Sequence, residues 1–431
     1  MIIEKKFYQS LIICGLLGVF IVTILRGLRW PNDWAEAQWL ISYDFGFIKR
    51  ALPGTFFKLI IFLGGVTDIE SAIKWISSIF LFCFYSILFL VNIQIVKKLQ
   101  FSLSGILIAL LFFTSPYVVM SAHLNGYFDN ITVILSFLAS IFIIKNKILM
   151  ASLILTFGFF IHESIFLIGF PSVFFITFFK YFRLKKIEKK IFFNFISRYL
   201  MVFLVPLISF FLITTCHGTS EKMAISTKVT EYLSQFGFIH ENKNITVPKA
   251  LTTPLLYYLE TQSSQFLLRI LDPVFLFHTG MPVFCFLFMI FNILKNNYGH
   301  FLMILFVSFL LIILPLALHA VAWDTSRIWT YPLIVGLFTL WGVCEVTPKI
   351  EIAGHESLSY LAALWIVINF QLFLLTPLMD GEQERFSNEI RVLLYGLPLL
   401  LVMTVVEKHY CLAVCCFSSK NEVHIDQEPL K

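Results

Sequence analysis

Apolar runs, each close to 20 residues long and separated by short polar connections, fill the chain from residue 9 to residue 409. One helix needs about 20 residues at 1.5 Å each to cross the hydrocarbon core of a bilayer. Windows of that size predict twelve spans: 9–27, 73–95, 104–121, 127–144, 148–161, 164–181, 197–215, 276–294, 300–319, 328–345, 358–378 and 392–409. The first run follows Lys5 and Lys6 like a signal peptide. It has no small-residue cleavage site and runs into Arg26 and Arg29, so it is read as a retained helix. A single helix over 148–181 would reach about 50 Å, too far for one crossing. The polar pair His162-Glu163 interrupts GFFIHESIFLIGF there, and predicts a hairpin broken at membrane depth.

The predicted architecture is an all-α, polytopic transmembrane helix bundle over residues 1–410, followed by a cytoplasmic tail at 411–431 whose end, SSKNEVHIDQEPLK, is expected to be unstructured. Two connections are long, 28–72 and 216–275. Each contains a stretch expected to lie along the membrane interface, FFKLIIFL in the first and PLLYYLETQSSQFLLRIL in the second. The sequon Asn244-Ile245-Thr246 in the second loop is read as chance.

Composition narrows the class further. Of 431 residues 58% are hydrophobic and 13% charged, about half the charged share of an ordinary globular domain. A disordered chain, a secreted disulfide scaffold and a cytosolic enzyme are thereby excluded for the main body. The net charge of +6 does not signal nucleic-acid binding, because the basic residues sit in short connections between apolar runs. With the N-terminus inside, those connections carry Lys5, Lys6, Lys97, Lys98, Lys145, Lys147, Lys295 and Lys349, and the dense cluster Lys180, Arg183, Lys185, Lys186, Lys189, Lys190 and Arg198. Both termini are then expected in the cytoplasm. The cysteines at 14, 83, 285 and 344 fall in apolar runs and read as buried small hydrophobes; Cys216 has no partner in its loop, and Cys411, Cys415 and Cys416 cluster after the last run.

In this topology the unusual polar residues gather on the outer side. The first outer loop, PNDWAEAQWLISYDFGFIKRALPG, supplies Asp33, Glu36, Asp44, Lys49 and Arg50. HLNGYFDN supplies His123, Asn125, Asp129 and Asn130. The turn at 162–163 adds His162 and Glu163, and AVAWDTSRIW adds Asp324 and Arg327. Ionisable groups at membrane depth are costly and tend to line a polar cavity. Plainer roles compete at each position. Asp129 could cap its helix, Asp324 and Arg327 at i and i+3 could neutralise each other, Lys49-Arg50 could anchor at headgroups, and Asp33 and Glu36 could simply be solvated. No metal-ligand spacing, phosphate-cradling glycine loop or Gly-x-Ser-x-Gly elbow is present.

Carboxylates, a histidine and fixed cations around a membrane-bounded cavity suit group transfer from a lipid-linked phosphate donor. A carboxylate can take the proton of an attacking hydroxyl, while Arg, Lys or a carboxylate-held divalent metal stabilises the phosphate leaving group. No cofactor is specified, and the metal stays open as an alternative to the cations. The segments YDFGFIKRALPG, GYFD, HE and DTSR resemble bacterial integral membrane proteins of surface-polysaccharide synthesis. The layout is similar to multi-span glycosyltransferases of the C-type fold, which use polyprenyl-phosphate sugars. The resemblance implies a glycosyltransferase of the bacterial inner membrane, with a polyprenyl-phosphate-linked sugar and a glycan acceptor as partners. It also implies an essential acid in the first outer loop, for which Asp33, Glu36 and Asp44 are the matching positions. The adjacent acidic pair carried by many such enzymes is missing, so Asp129 or Glu163, the latter beside His162, stands as the alternative base. Lys49, Arg50 and Arg327 would hold the phosphate; Asp44, His123, Asn125 and Asp324 would support them. A polymerase of O-antigen or capsule repeat units, a transporter or flippase, and a membrane acyltransferase are the competing readings.

Overall fold

The computed structural model describes residues 2–182, 200, 202–209, 211–212, 219–253, 255–322, 324–348, 350, 358–379 and 382–421. The chain is an all-α bundle. Among the described residues eight helices are long and apolar enough to cross a membrane, and four shorter apolar helices accompany them. The first half comprises α1 (Ile2–Gly27), α2 (Asp33–Leu40), α3 (Ala51–Gly64), α4 (Ile69–Lys98), α5 (Leu103–Phe113), α6 (Pro116–His123), α7 (Asp129–Ile144), α8 (Ile148–Ile161) and α9 (Ile165–Phe182). The second half comprises α10 (Thr219–Leu233), α11 (Glu241–Thr252), α12 (Leu255–Gln262), α13 (Phe266–Ile270), α14 (Met281–Asn297), α15 (Phe301–Ile313), α16 (Thr325–Val346), α17 (Leu358–Phe373) and α18 (Asn388–Asn421). Part of the 197–215 window, the basic cluster after Lys180, Cys216 and Lys349 lie outside the described residues. The tail departs from expectation: α18 runs on to Asn421, so Ser418 to Asn421 are helical.

Burial does not follow hydropathy. The most apolar 18-residue stretch of the Phe301–Ala320 helix has a mean hydropathy of 3.0 and is 22% buried, whereas that of Thr325–Val346 has 1.3 and is 94% buried. In lipid an exposed leucine costs nothing, so the most apolar helices sit on the rim and the more polar ones pack inside. The buried centre is α5–α6 with α16. Pro116 at the first position of α6 separates it from α5 after Thr114 and Ser115. The same logic corrects the cysteines: Cys285 and Cys344 are buried, but Cys14 and Cys83 are exposed on outward helix faces.

The hairpin at 148–181 is broken where expected. The helix α8 stops at Ile161, α9 starts at Ile165, and the backbone of His162 is extended. At the opposite end of this hairpin Lys180 donates to the carbonyls of Ile143 (2.9 Å) and Ile144 (3.0 Å) and to Asn146 Oδ1 (2.7 Å), closing the C-terminus of α7 with a cation. Lys98 faces Glu345 at 3.7 Å, so these basic connections share the end of the bundle away from Asp129.

The first long connection is more ordered than its sequence suggested. The helix α2 is capped by Asn32, whose side chain accepts from the Ala35 N–H at 3.0 Å. Trp39 Nε1 donates to the Gly126 carbonyl (2.9 Å), Asn125 Nδ2 to the Arg29 carbonyl (3.0 Å), and Asn32 Nδ2 to the Tyr127 hydroxyl (3.2 Å). The loop is thus fastened to the 125–127 turn, where Gly126 adopts a left-handed φ of +88°. Both stretches expected along the interface are helical: 56–63 lies within α3, and 255–270 is split between α12 and α13. The first presents Phe56, Leu59, Ile60, Phe62 and Leu63 outward. In the second long connection, α10 and α11 lay Ile225, Val229, Leu233, Val247 and Leu251 against Trp39, Leu40 and Phe57. Asn244 is buried in that packing, so its sequon is not presented.

Candidate functional site

Four segments far apart in sequence converge at one end of the bundle. From the first loop, Arg50 reaches the 162–164 break and forms a two-pronged ion pair with Glu163, Nε to Oε2 at 2.9 Å and Nη2 to Oε1. With its amide oxygen facing them, Gln38 accepts from Arg50 Nη1 (3.1 Å) and Trp34 Nε1 (2.9 Å). Arg50 holds this post on a left-handed backbone (φ 60°), a conformation costing a non-glycine residue about 1 kcal/mol or more.

Beside this pair, Tyr331 donates to Asp129 Oδ1 at 2.6 Å, and Arg327 Nη1 stands 3.5 Å from Asp129 Oδ2. The other arm of Arg327 grips Asp324 Oδ2 at 2.6 Å. Asp129 feels the charges of both Arg327 and Arg50 and neighbours His162. The groups therefore alternate in sign from Glu163 through Arg50, Asp129 and Arg327 to Asp324. His162 Nδ1 accepts the Ser164 N–H at 3.0 Å, and Ser164 is joined to Thr132 on α7 at 3.2 Å, which fixes the break against Asp129's helix.

The cluster is not sealed. Glu163 keeps 35% of its side-chain surface accessible and Arg50 17%, although both stand among apolar helices. Asp129 keeps 7%. Water-sized molecules reach Glu163 more readily than any other carboxylate of the group. Among the described residues no three His, Cys, Asp or Glu side chains converge as a metal-binding set, and the carboxylates here face guanidiniums.

The plain alternatives resolve individually. Asp129 is not a cap: α7 begins at Asp129 itself, its N-cap is Phe128, and no side chain caps it. Its carboxylate turns inward to Tyr331 because that buried hydroxyl needs an acceptor. The i, i+3 pair of Asp324 and Arg327 forms, but Arg327 also serves Asp129. Arg50 is not a headgroup anchor, since its guanidinium points into the bundle.

Other candidates lie elsewhere. Lys49 donates to the Thr253 carbonyl at 3.2 Å, and its charge reaches Glu163. Asp33 accepts the His240 N–H at 3.1 Å and ties α2 to α11. Glu36 is buried rather than solvated, near Lys74, Glu70 and Asp33, and burial pushes its carboxyl up to about 7. Asp44 pairs with Lys58 at 2.5 Å on the exposed surface, and hydrogen bonds from Lys58 and Ser42 hold its carboxyl below the ordinary range. His123 sits 3.8 Å from Glu382, away from the cluster, and Asn125 fastens the loop.

Sequence reasoning missed a second ionic group entirely. Glu384 accepts from Arg26 Nε (2.7 Å) and Nη2 (3.0 Å) and from the Thr376 N–H (2.5 Å), and pairs with Arg391 Nη2 at 2.8 Å. All three side chains are at most 1% exposed. The group joins the end of α1 to the start of α18, while Thr23 and Tyr395 continue the seam at 2.7 Å. The available signal was Arg26 at the end of an apolar run, a charge needing a partner at membrane depth.

No protein-family model, curated protein or solved structure matches the chain. The candidate site therefore rests on its own geometry.

Proposed function

We propose that the chain is a membrane glycosyltransferase that moves a sugar from a lipid-linked phosphate donor to a glycan acceptor in cell-surface polysaccharide synthesis. The observation that carries this reading is the meeting of Arg50, Asp129, Glu163 and Arg327 from four separate segments at one end of the bundle, with Glu163 and Arg50 still partly accessible. The basic connections at the other end support an orientation with the cluster facing away from the cytoplasm, in a bacterial inner membrane.

In this scheme Arg50 and Arg327 bind the donor phosphate, whose oxygens match the planar fork of a guanidinium. Glu163 is the base, as the most accessible carboxylate of the cluster. An acceptor hydroxyl gives its proton to Glu163, and its oxygen forms a bond to the anomeric carbon of the sugar. The bond from that carbon to the phosphate oxygen breaks, and its electron pair leaves with the lipid phosphate. Glu163 then returns the proton to water. Asp129, held by Tyr331, orients Arg327.

The test is glycan mass spectrometry of the host cell without the chain, with the wild-type chain, and with Glu163→Gln at equal membrane abundance. Deletion and Glu163→Gln should both lack the same sugar residue. An intact glycan in the deletion strain refutes the reading.

A further inference from the structure

The Arg50 guanidinium is already engaged by Glu163 through Nε and Nη2 and by Gln38 through Nη1, so a phosphate that takes its fork must displace the carboxylate. Glu163, the carboxylate on Arg50, is the most exposed of the cluster's three, at 35% against 17% for Asp324 and 7% for Asp129. Both hydrogen bonds of its carboxylate are to Arg50. Asp129 by contrast is gripped by Tyr331 and faces Arg327, and Asp324 is bound by Arg327. Glu163 also stands in the non-helical break at 162–164, where side-chain movement leaves the ladders of α8 and α9 intact. Arg50 can stay in place when Glu163 departs, because Gln38 holds its Nη1 from the other side.

We infer that the donor's phosphate exchanges with Glu163 on the Arg50 guanidinium, so that donor binding itself releases the base. This rests on the proposed phosphate-binding reading of the site and adds its regulation. A phosphodiester carries one negative charge, as the carboxylate does, so the exchange leaves Arg50 neutralised throughout. Before it, the Arg50 guanidinium on both Glu163 oxygens makes the carboxylate a poor base for an acceptor's proton. After it, the carboxylate is released from that pair. Donor therefore binds before acceptor, and the site without donor has no free base with which to activate water or an acceptor sugar.

The experiment measures binding of farnesyl phosphate, a soluble polyisoprenyl monophosphate, to the purified full-length chain in detergent. Glu163→Gln removes the competing charge and is expected to tighten binding about tenfold, the equivalent of one charge-assisted hydrogen bond. Glu163→Asp, too short to engage both nitrogens, should shift in the same direction and serves if the amide variant folds poorly. Arg50→Gln should weaken binding by about the same factor. If Arg50→Gln weakens binding while neither Glu163 variant tightens it, the exchange is wrong and the phosphate site stands. If Arg50→Gln and Arg327→Gln both bind like wild type, the phosphate site is wrong as well.

Discussion

Replacing Glu384 with leucine should destabilise the protein more than any other single change among the charged residues described. Three hydrogen bonds, two from Arg26 and one from the Thr376 N–H, and an ion pair with Arg391 converge on this carboxylate, and neither Arg26 nor Arg391 has more than 1% of its side chain exposed. Without Glu384 the two guanidiniums keep only neutral acceptors: the carbonyls of Gln371, Leu374 and Phe386, and the Tyr395 hydroxyl. Two buried positive charges then repel each other with no counter-ion. Removing one partner of a buried pair costs about 3–5 kcal/mol, most of it from the charge left behind. Thermal unfolding followed by size-exclusion chromatography in detergent should show Tm falling on the order of 10 °C. Arg391→Met should cost less, since Glu384 keeps its two-pronged pair with Arg26. The triple variant Arg26→Met, Glu384→Leu, Arg391→Met should recover most of the loss, because no uncompensated charge remains. A Glu384→Leu Tm equal to wild type, or a triple variant no better than the single, would refute the electrostatic account of the α1–α18 seam.

Two further outcomes follow from the first long loop. The Glu36 carboxyl, raised from 4.5 to about 7 by burial, favours its protonated form in the fold, so the stability it permits below pH 4.5 is lost as pH rises through 7. Glu36→Gln should therefore match wild type in Tm at pH 4 and exceed it at pH 8, by up to about 3 kcal/mol; equal Tm at both pH values counts against the buried assignment. Gly54 packs so closely that an added Cβ would lie 2.0 Å from the Ile41 carbonyl oxygen and 3.0 Å from that of Trp39. Gly54→Ala must push α3 off α2 and move Arg50 at its start, so farnesyl phosphate binding should fall with only modest change in membrane insertion; wild-type affinity would show that α3 does not position Arg50.

The helices were legible because their cause is local. Twenty apolar residues satisfy their backbone internally wherever they lie, and His162-Glu163 breaks its run because two polar residues interrupt it. The candidate residues were legible as a set for the same reason, since a charge in or beside an apolar run stands out without any partner in view. Their pairing was not legible. Sequence placed Asp129 at a helix start, where capping was the simple expectation, while the tertiary structure gave its carboxylate to Tyr331, 202 residues away. Arg26 and Glu384 meet across 358 residues, and no periodicity connects them. Glu36 and Asp33 are three residues apart in one loop, yet one is buried and the other ties α2 to α11. Hydropathy is summed residue by residue along the chain, so the amino-acid order determined the spans and their turns. Burial and ion pairing depend on which segments become neighbours, and where lipid tolerates every apolar face equally, only packing of the bundle could decide which carboxylate each arginine holds.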